Sequence, residues 1–309
     1  MKSFSDLQYF CQFIINKYGS PSNASEDDKA QEFRNVYLHN LPLDLRTIKA
    51  IAFACGIQVK GVDSTTLPQN IRWYHDVFDD NRNIYYKNGD TVSGIENTIL
   101  HEFREMIEPV FGELCPVYNP LRTNAIHLVA NKFATAVLLP KDEFKENIYG
   151  TGFDVIELSK VYSKSCAQVV LRMGEVLEGN IFLYSGLYEE GAEVGNWTLR
   201  YRTVSTNNND PEANVYGAEG LFPRKGKPVV PGSLVEKVIK EKKPYMVRRI
   251  TLLDGREDDG LTAIARPLFI SGEQAKVALV VVLFSNLKLL QPQIDRICPV
   301  EIDKFHKHL

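Results

Sequence analysis

The chain has 309 residues, of which 24% are charged and 44% hydrophobic, and it carries a net charge of −3. This is the mixture of an ordinary globular protein, long enough for two domains. It gives no whole-chain attraction to nucleic acid or anionic membrane. The longest apolar run, Val277 to Phe284, is too short to cross a bilayer. Five cysteines (Cys11, Cys55, Cys115, Cys166 and Cys298) are scattered without a Cys-x-x-Cys pair. Neither a disulfide framework nor a thiolate zinc site is therefore expected. Reduced thiols, and an N-terminus without the succession of a secretory signal, point to the cytoplasm.

Apolar residues at helical spacing, Leu7, Phe10, Cys11, Ile14 and Tyr18, predict a helix over 5–18 that ends at Ser-Pro-Ser-Asn-Ala-Ser. A second helix is expected from Leu43 to Cys55, stopped by Gly56. Three β-branched and aromatic segments follow, at 57–62, 71–75 and 83–86, the last two forming a hairpin about Asp79-Asp80-Asn81. Ser93-x-x-Glu96 then reads as a capping box, so a helix is expected to begin near Gly94 and to stop at Pro109. Another is expected from Asn124 to Leu139, closed by Pro140. Residues 154–173 read as two helices broken at Ser163-Lys164-Ser165, the pattern of a helix-turn-helix. Beyond Gly179 the chain turns β-rich, with Thr198–Val204 and Lys276–Phe284 as strands and Gly232–Lys242 as a helix. A domain boundary is placed near residue 180.

The chemistry concentrates in His101-Glu102-Phe103-Arg104-Glu105 and in His127, one helix later. On a helix, residues four apart lie side by side, so His101 and Glu105 can grip one ion. Glu102 sits beside that grip, where a base can address water without being a ligand. His127 would complete three protein ligands and leave one position open, as a hydrolytic zinc site requires. Two imidazoles and one carboxylate equally suit Mn(II) or Fe(II). Glu108, on the same helical side as His101, is a further candidate ligand. Without the second motif the bland reading is a solvated acidic face plus one core histidine. His75, in the hairpin, reads as structural or surface. His39, His306 and His308 carry no signal.

Residues 91–144 resemble the ImmA/IrrE family of metallopeptidases. Members show a Thr-Leu-x-His-Glu-x-x-His helix, then Glu-x-x-Ala-Asn-x-Phe-Ala-Ala-x-Leu-Leu-Met-Pro and a nearby Phe. This chain has Thr98-Ile99-Leu100-His101-Glu102, then His127-Leu128-Val129-Ala130-Asn131-Lys132-Phe133-Ala134, and Leu138-Leu139-Pro140 with Phe144. The resemblance implies His101, position 105 and position 127 as metal ligands and Glu102 as the base. Glu105 stands where His is usual and His127 where Glu is usual, so the ligand inventory is kept with the two positions exchanged.

Between Lys141 and Asn180 there are five Lys/Arg and seven Asp/Glu, a net −2. An element that enters a DNA groove carries surplus positive charge, so direct nucleic-acid contact is not expected. Residues 181–309 resemble a GAF-like sensor domain, through Pro244 to Ile250, Ala263 to Leu268 and the strand Val277 to Phe284. That resemblance implies a strand-lined pocket for a small ligand; a structural or dimerising β domain is the alternative.

The expected architecture is α+β. A zincin-like metallopeptidase domain (1–150) precedes a helix-turn-helix-like linker (151–180) and a smaller GAF-like α/β domain (181–309). The function implied is a cytoplasmic, metal-dependent endopeptidase, with zinc expected and Mn or Fe as alternatives, that cleaves a helix-turn-helix transcriptional repressor in a stress or mobile-element response and is regulated by its C-terminal sensor domain. The alternative is a zincin-fold regulator that binds such a repressor without cleaving it.

Overall fold

A computed structural model describes residues 6–39, 41–63, 73–78, 81–207, 209, 215–216, 220–255 and 257–302. Of residues 6, 73–78, 81 and 123 it describes the backbone only. Helices and strands are mixed, an α+β fold, and the chain divides into two compact units, Met1–Lys141 and Asp142–Leu309.

The first unit is built on helices α1 (Asp6–Tyr18), α2 (Glu26–Phe33), α3 (Leu45–Ala54), α4 (Val92–Leu114) and α5 (Thr123–Leu138). Its sheet has strands β1 (Ile57–Val62), β2 (Trp73–Phe78) and β3 (Asn81–Lys87) in the order β1-β3-β2. β3 runs parallel to β1 and antiparallel to β2, with Phe78 opposite Asn81. The core between the helices is aromatic: Phe33, Phe103 and Phe133 from α2, α4 and α5 meet with ring centroids 5.1–6.3 Å apart.

Two expectations about α4 are corrected. The helix begins at Val92, with the Thr91 hydroxyl accepting from Gly94 N at 3.2 Å, and Ser93 is a buried residue inside it. The threonine two positions earlier supplies the same acceptor chemistry as the expected serine cap. Pro109 does not stop the helix, which continues to Leu114. A proline there removes one i→i−4 hydrogen bond. Burial of Val110 and Phe111 beyond it offsets that loss.

The second unit opens with α6 (Lys141–Thr151), α7 (Val155–Tyr162) and α8 (Cys166–Leu177), so residues 151–180 are built into it. Six strands follow in the order β11-β6-β9-β10-β4-β5. Their ranges are β4 (Leu183–Glu190), β5 (Trp197–Ser205), β6 (Tyr245–Val247), β9 (Leu261–Ile270), β10 (Glu273–Leu283) and β11 (Val300–Ile302). A short pair, β7 (Ile250–Thr251) and β8 (Glu257–Asp258), stands apart. Helix α9 (Leu234–Glu241) packs on one face of the sheet against β9 and β10, its Leu234, Val235 and Val238 sharing one core with Ala263, Ala265, Leu279 and Val281. On β4 and β5, α8 lies so close that a Cβ at Gly174 would fall on the Thr203 side chain. With both its faces covered, β10 reads as the continuous apolar run Val277–Leu283. A last helix, α10 (Gln291–Ile297), precedes β11.

Cys11, Cys55, Cys115 and Cys166 are buried and only Cys298 is exposed. Burial pushes the Cys11 and Cys166 thiols above their ordinary value of 9.0, so they stay protonated and unreactive. A thiol-titrating disulfide reagent at mildly alkaline pH is therefore expected to modify one cysteine quickly in the native protein and all five after denaturation. Two or more fast thiols would contradict the packing.

Candidate metal centre

Helix α4 presents His101 and Glu105 on one face, and α5 packs across it to bring His127 alongside. His101 Nε2 lies 2.9 Å from Glu105 Oε1 and 3.4 Å from His127 Nδ1, and His127 Nδ1 is in direct contact with the same carboxylate oxygen. The two imidazoles stack, with centroids 5.7 Å apart and planes at 21°. One ligand atom from each residue lies within 4.8 Å of the other two. Donors around a single zinc, at about 2.0–2.3 Å each, stand about 3–4 Å apart. Two nitrogens and one carboxylate oxygen gathered in one place are a donor set compatible with a divalent ion.

The surroundings support that fit. His101 Nδ1 donates to Asn131 Oδ1 at 3.0 Å, which leaves Nε2 facing Glu105 and His127. Holding the second ring nitrogen in this way fixes the tautomer and orientation of a metal-binding histidine. The site is graded in exposure: the side chains of His101 and Glu105 are 4% and 9% exposed, that of His127 is 53%. Glu105, Pro109, Pro120, Ile126 and His127 are among the residues that line a cleft of about 700 Å3, so the cluster opens onto a space large enough for a peptide segment. Glu102 is buried on α4 next to His101 and is not among the residues whose ligand atoms converge.

Glu108 is not part of the cluster. Its carboxylate accepts from Arg104 Nη1 at 2.7 Å, and from the Tyr118 hydroxyl and Leu121 N at 2.6 Å each. Burial, and then this bond to Glu108, raise the Tyr118 phenol above its ordinary 10.0. Arg104 also forks onto Glu26 of α2, at 2.8 and 3.1 Å. Through Glu108 the network fastens the 115–121 segment, whose Pro120 and Leu121 form a wall of the cleft.

Asn131 and Arg104 were both inside the sequence motifs, but nothing local marked one as the partner of His101 or the other as a buried hub. His75 lies on β2, where side chains are outside the described residues, as are His306 and His308. His39 is exposed, in the left-handed region at φ 39°, away from any cluster.

Among the described residues, no helix is long and apolar enough to cross a membrane. No protein-family model matches the chain, and no curated relative does. A solved structure of a Mycobacterium tuberculosis transcriptional regulator is similar, with a TM-score of 0.57 at 13% identity, over 96% of this chain and 89% of that one. At that identity the likeness is one of fold.

Proposed function

We propose that this chain is a metal-dependent endopeptidase acting on a helix-turn-helix transcriptional repressor, under the control of its C-terminal unit. The observation that carries the reading is the convergence of His101, Glu105 and His127 from two helices, with Asn131 holding the His101 ring. The regulator whose fold is similar supports a role in transcription control, and the ImmA/IrrE-like motifs support the peptidase chemistry. Exchange of the usual His and Glu between positions 105 and 127 keeps two imidazoles and one carboxylate.

His101, Glu105 and His127 would hold zinc, or Mn(II) or Fe(II), and such an ion supplies Lewis acidity when bound. The cleft beside Glu105 and His127 receives an extended segment of the substrate between its proline and isoleucine walls. Glu102 takes a proton from the attacking water and returns it to the leaving amide nitrogen, so that one carboxylate serves as base and then as acid. Asn131 keeps the His101 ring from rotating while the cluster works.

The test is elemental analysis and repressor cleavage on one set of proteins. Wild type should hold one divalent ion per chain, and His101→Ala and His127→Ala should hold none. Glu102→Gln should retain the ion and lose cleavage by about 100-fold or more. Metal that persists in His127→Ala would remove the site; unchanged cleavage by Glu102→Gln would remove the mechanism.

A further inference from the structure

The second unit contains a cavity in which the metal cluster takes no part. The segment Phe222-Pro223-Arg224-Lys225-Gly226-Lys227-Pro228 places three cations and no acid in seven residues, in a chain of net charge −3. It is held as a rigid wall. Leu199 N donates to Lys227 O at 3.0 Å, Gly226 N to Leu199 O at 2.7 Å and Val229 N to Trp197 O at 2.9 Å, which covers the free edge of β5. The Phe222 ring stacks on Tyr184, with centroids 4.8 Å apart and planes at 18°. Arg202 Nη1 donates to Pro223 O at 3.0 Å, and the opposite wall is tied by Leu253 N to Leu221 O at 3.2 Å. Prolines at 223, 228 and 231 restrict the backbone further.

Between these walls lies a cavity of about 390 Å3, within the range of small-molecule sites. Its lining is apolar, with Phe222, Pro228, Val230 and Leu253 in it, and its charged members are Arg224 and Lys227; among the described residues no acid lines it. Both cations are exposed, and neither forms an ion pair among the described residues. We propose that this cavity binds a small amphiphilic anion, an apolar body carrying one carboxylate or phosphate. An uncharged hydrophobe leaves both cations unanswered, a cation is repelled, and a polar anion leaves the apolar walls unfilled. At about 30 Å3 per water-sized group, 390 Å3 holds roughly a dozen non-hydrogen atoms.

Decanoate has that size, so the probe is decanoate titrated calorimetrically into the full-length protein, with decanol and decyltrimethylammonium as matched neutral and cationic chains. Decanoate should bind at least tenfold more tightly than either. The double variant Arg224→Ala/Lys227→Ala, which changes two exposed side chains, should lose that tenfold while keeping the wild-type unfolding temperature. Val230→Trp should weaken decanoate by occlusion. Equal binding of decanol and decanoate, an unchanged double variant, or no decanoate binding at about millimolar concentration would each overturn the proposal. The outcome does not depend on peptidase activity, because the metal cluster belongs to the other unit.

Discussion

Replacing Arg104 with methionine will destabilise the first unit by about 3–5 kcal/mol, the range for breaking a buried ion pair from one side. The guanidinium has no exposed side-chain surface and is shared between Glu26 and Glu108 through three hydrogen bonds of 2.7–3.1 Å. Removing it leaves Glu108, 4% exposed, holding a buried negative charge against only a phenol and one backbone N–H. Glu26 keeps Lys29 at 2.7 Å, so the damage falls mainly on the α4 side. Arg104→Lys should lie between methionine and wild type, since an ammonium cannot answer two carboxylates in a planar fork. Adding Glu108→Leu to Arg104→Met should recover part of the loss, because no uncompensated charge then remains. Urea unfolding followed by circular dichroism measures each value. A loss under about 1 kcal/mol for Arg104→Met would place the network with weak surface pairs.

That network also marks where sequence reading stops. The α4 and α5 helices, and the residues they bring together, were legible because both signals are local: apolar periodicity, and a four-residue spacing that puts His101 and Glu105 on one face. Helix α2 was not read. It is polar, with the sequence Glu-Asp-Asp-Lys-Ala-Gln-Glu-Phe, and no apolar stripe announces it. Its reciprocal Ser25–Asp28 capping box starts at the serine that was read only as part of the end of the first helix, and the bond that gives the helix a role, Glu26 to Arg104, spans 78 residues. Pro109 misled for a related reason. A local breaker was overridden by burial of the turn that follows it. Glu108 looked like a ligand by spacing alone, and only the placement of Tyr118 and Leu121 assigns its carboxylate elsewhere. In the second unit, β10 was legible from its unbroken apolar run. The pairing of the six strands was not, because their order follows from contacts between distant segments.

Asp154 is the corresponding hub of the second unit, and Asp154→Ala is expected to cost about 3–5 kcal/mol there. The residue is fully buried and does two separate jobs. Its Oδ1 caps α7, accepting from Ile156 N at 3.0 Å and Glu157 N at 3.2 Å. Its Oδ2 receives Arg266 of β9 in a short contact and Arg296 Nη2 of α10 at 2.8 Å. Arg296 also donates to Thr151 O at 2.8 Å, so one carboxylate ties the start of α7 to a central strand and to the last helix. Losing the cap alone costs about 1 kcal/mol. The larger part comes from Arg266, 15% exposed, left without its anion, and from Arg296, 32% exposed, left with only Glu157 at 3.9 Å. Asp154→Asn separates the contributions: its amide oxygen can still cap α7 but brings no charge to the arginines. The expected order is wild type, then Asn, then Ala, with the Asn variant about 1 kcal/mol above Ala. Hydrogen exchange should report faster opening of both α7 and α10 in either variant. Should Asn match wild type, the arginine contacts contribute nothing and the residue is only a cap; should Asn match Ala, the cap contributes nothing and the charge carries the whole effect.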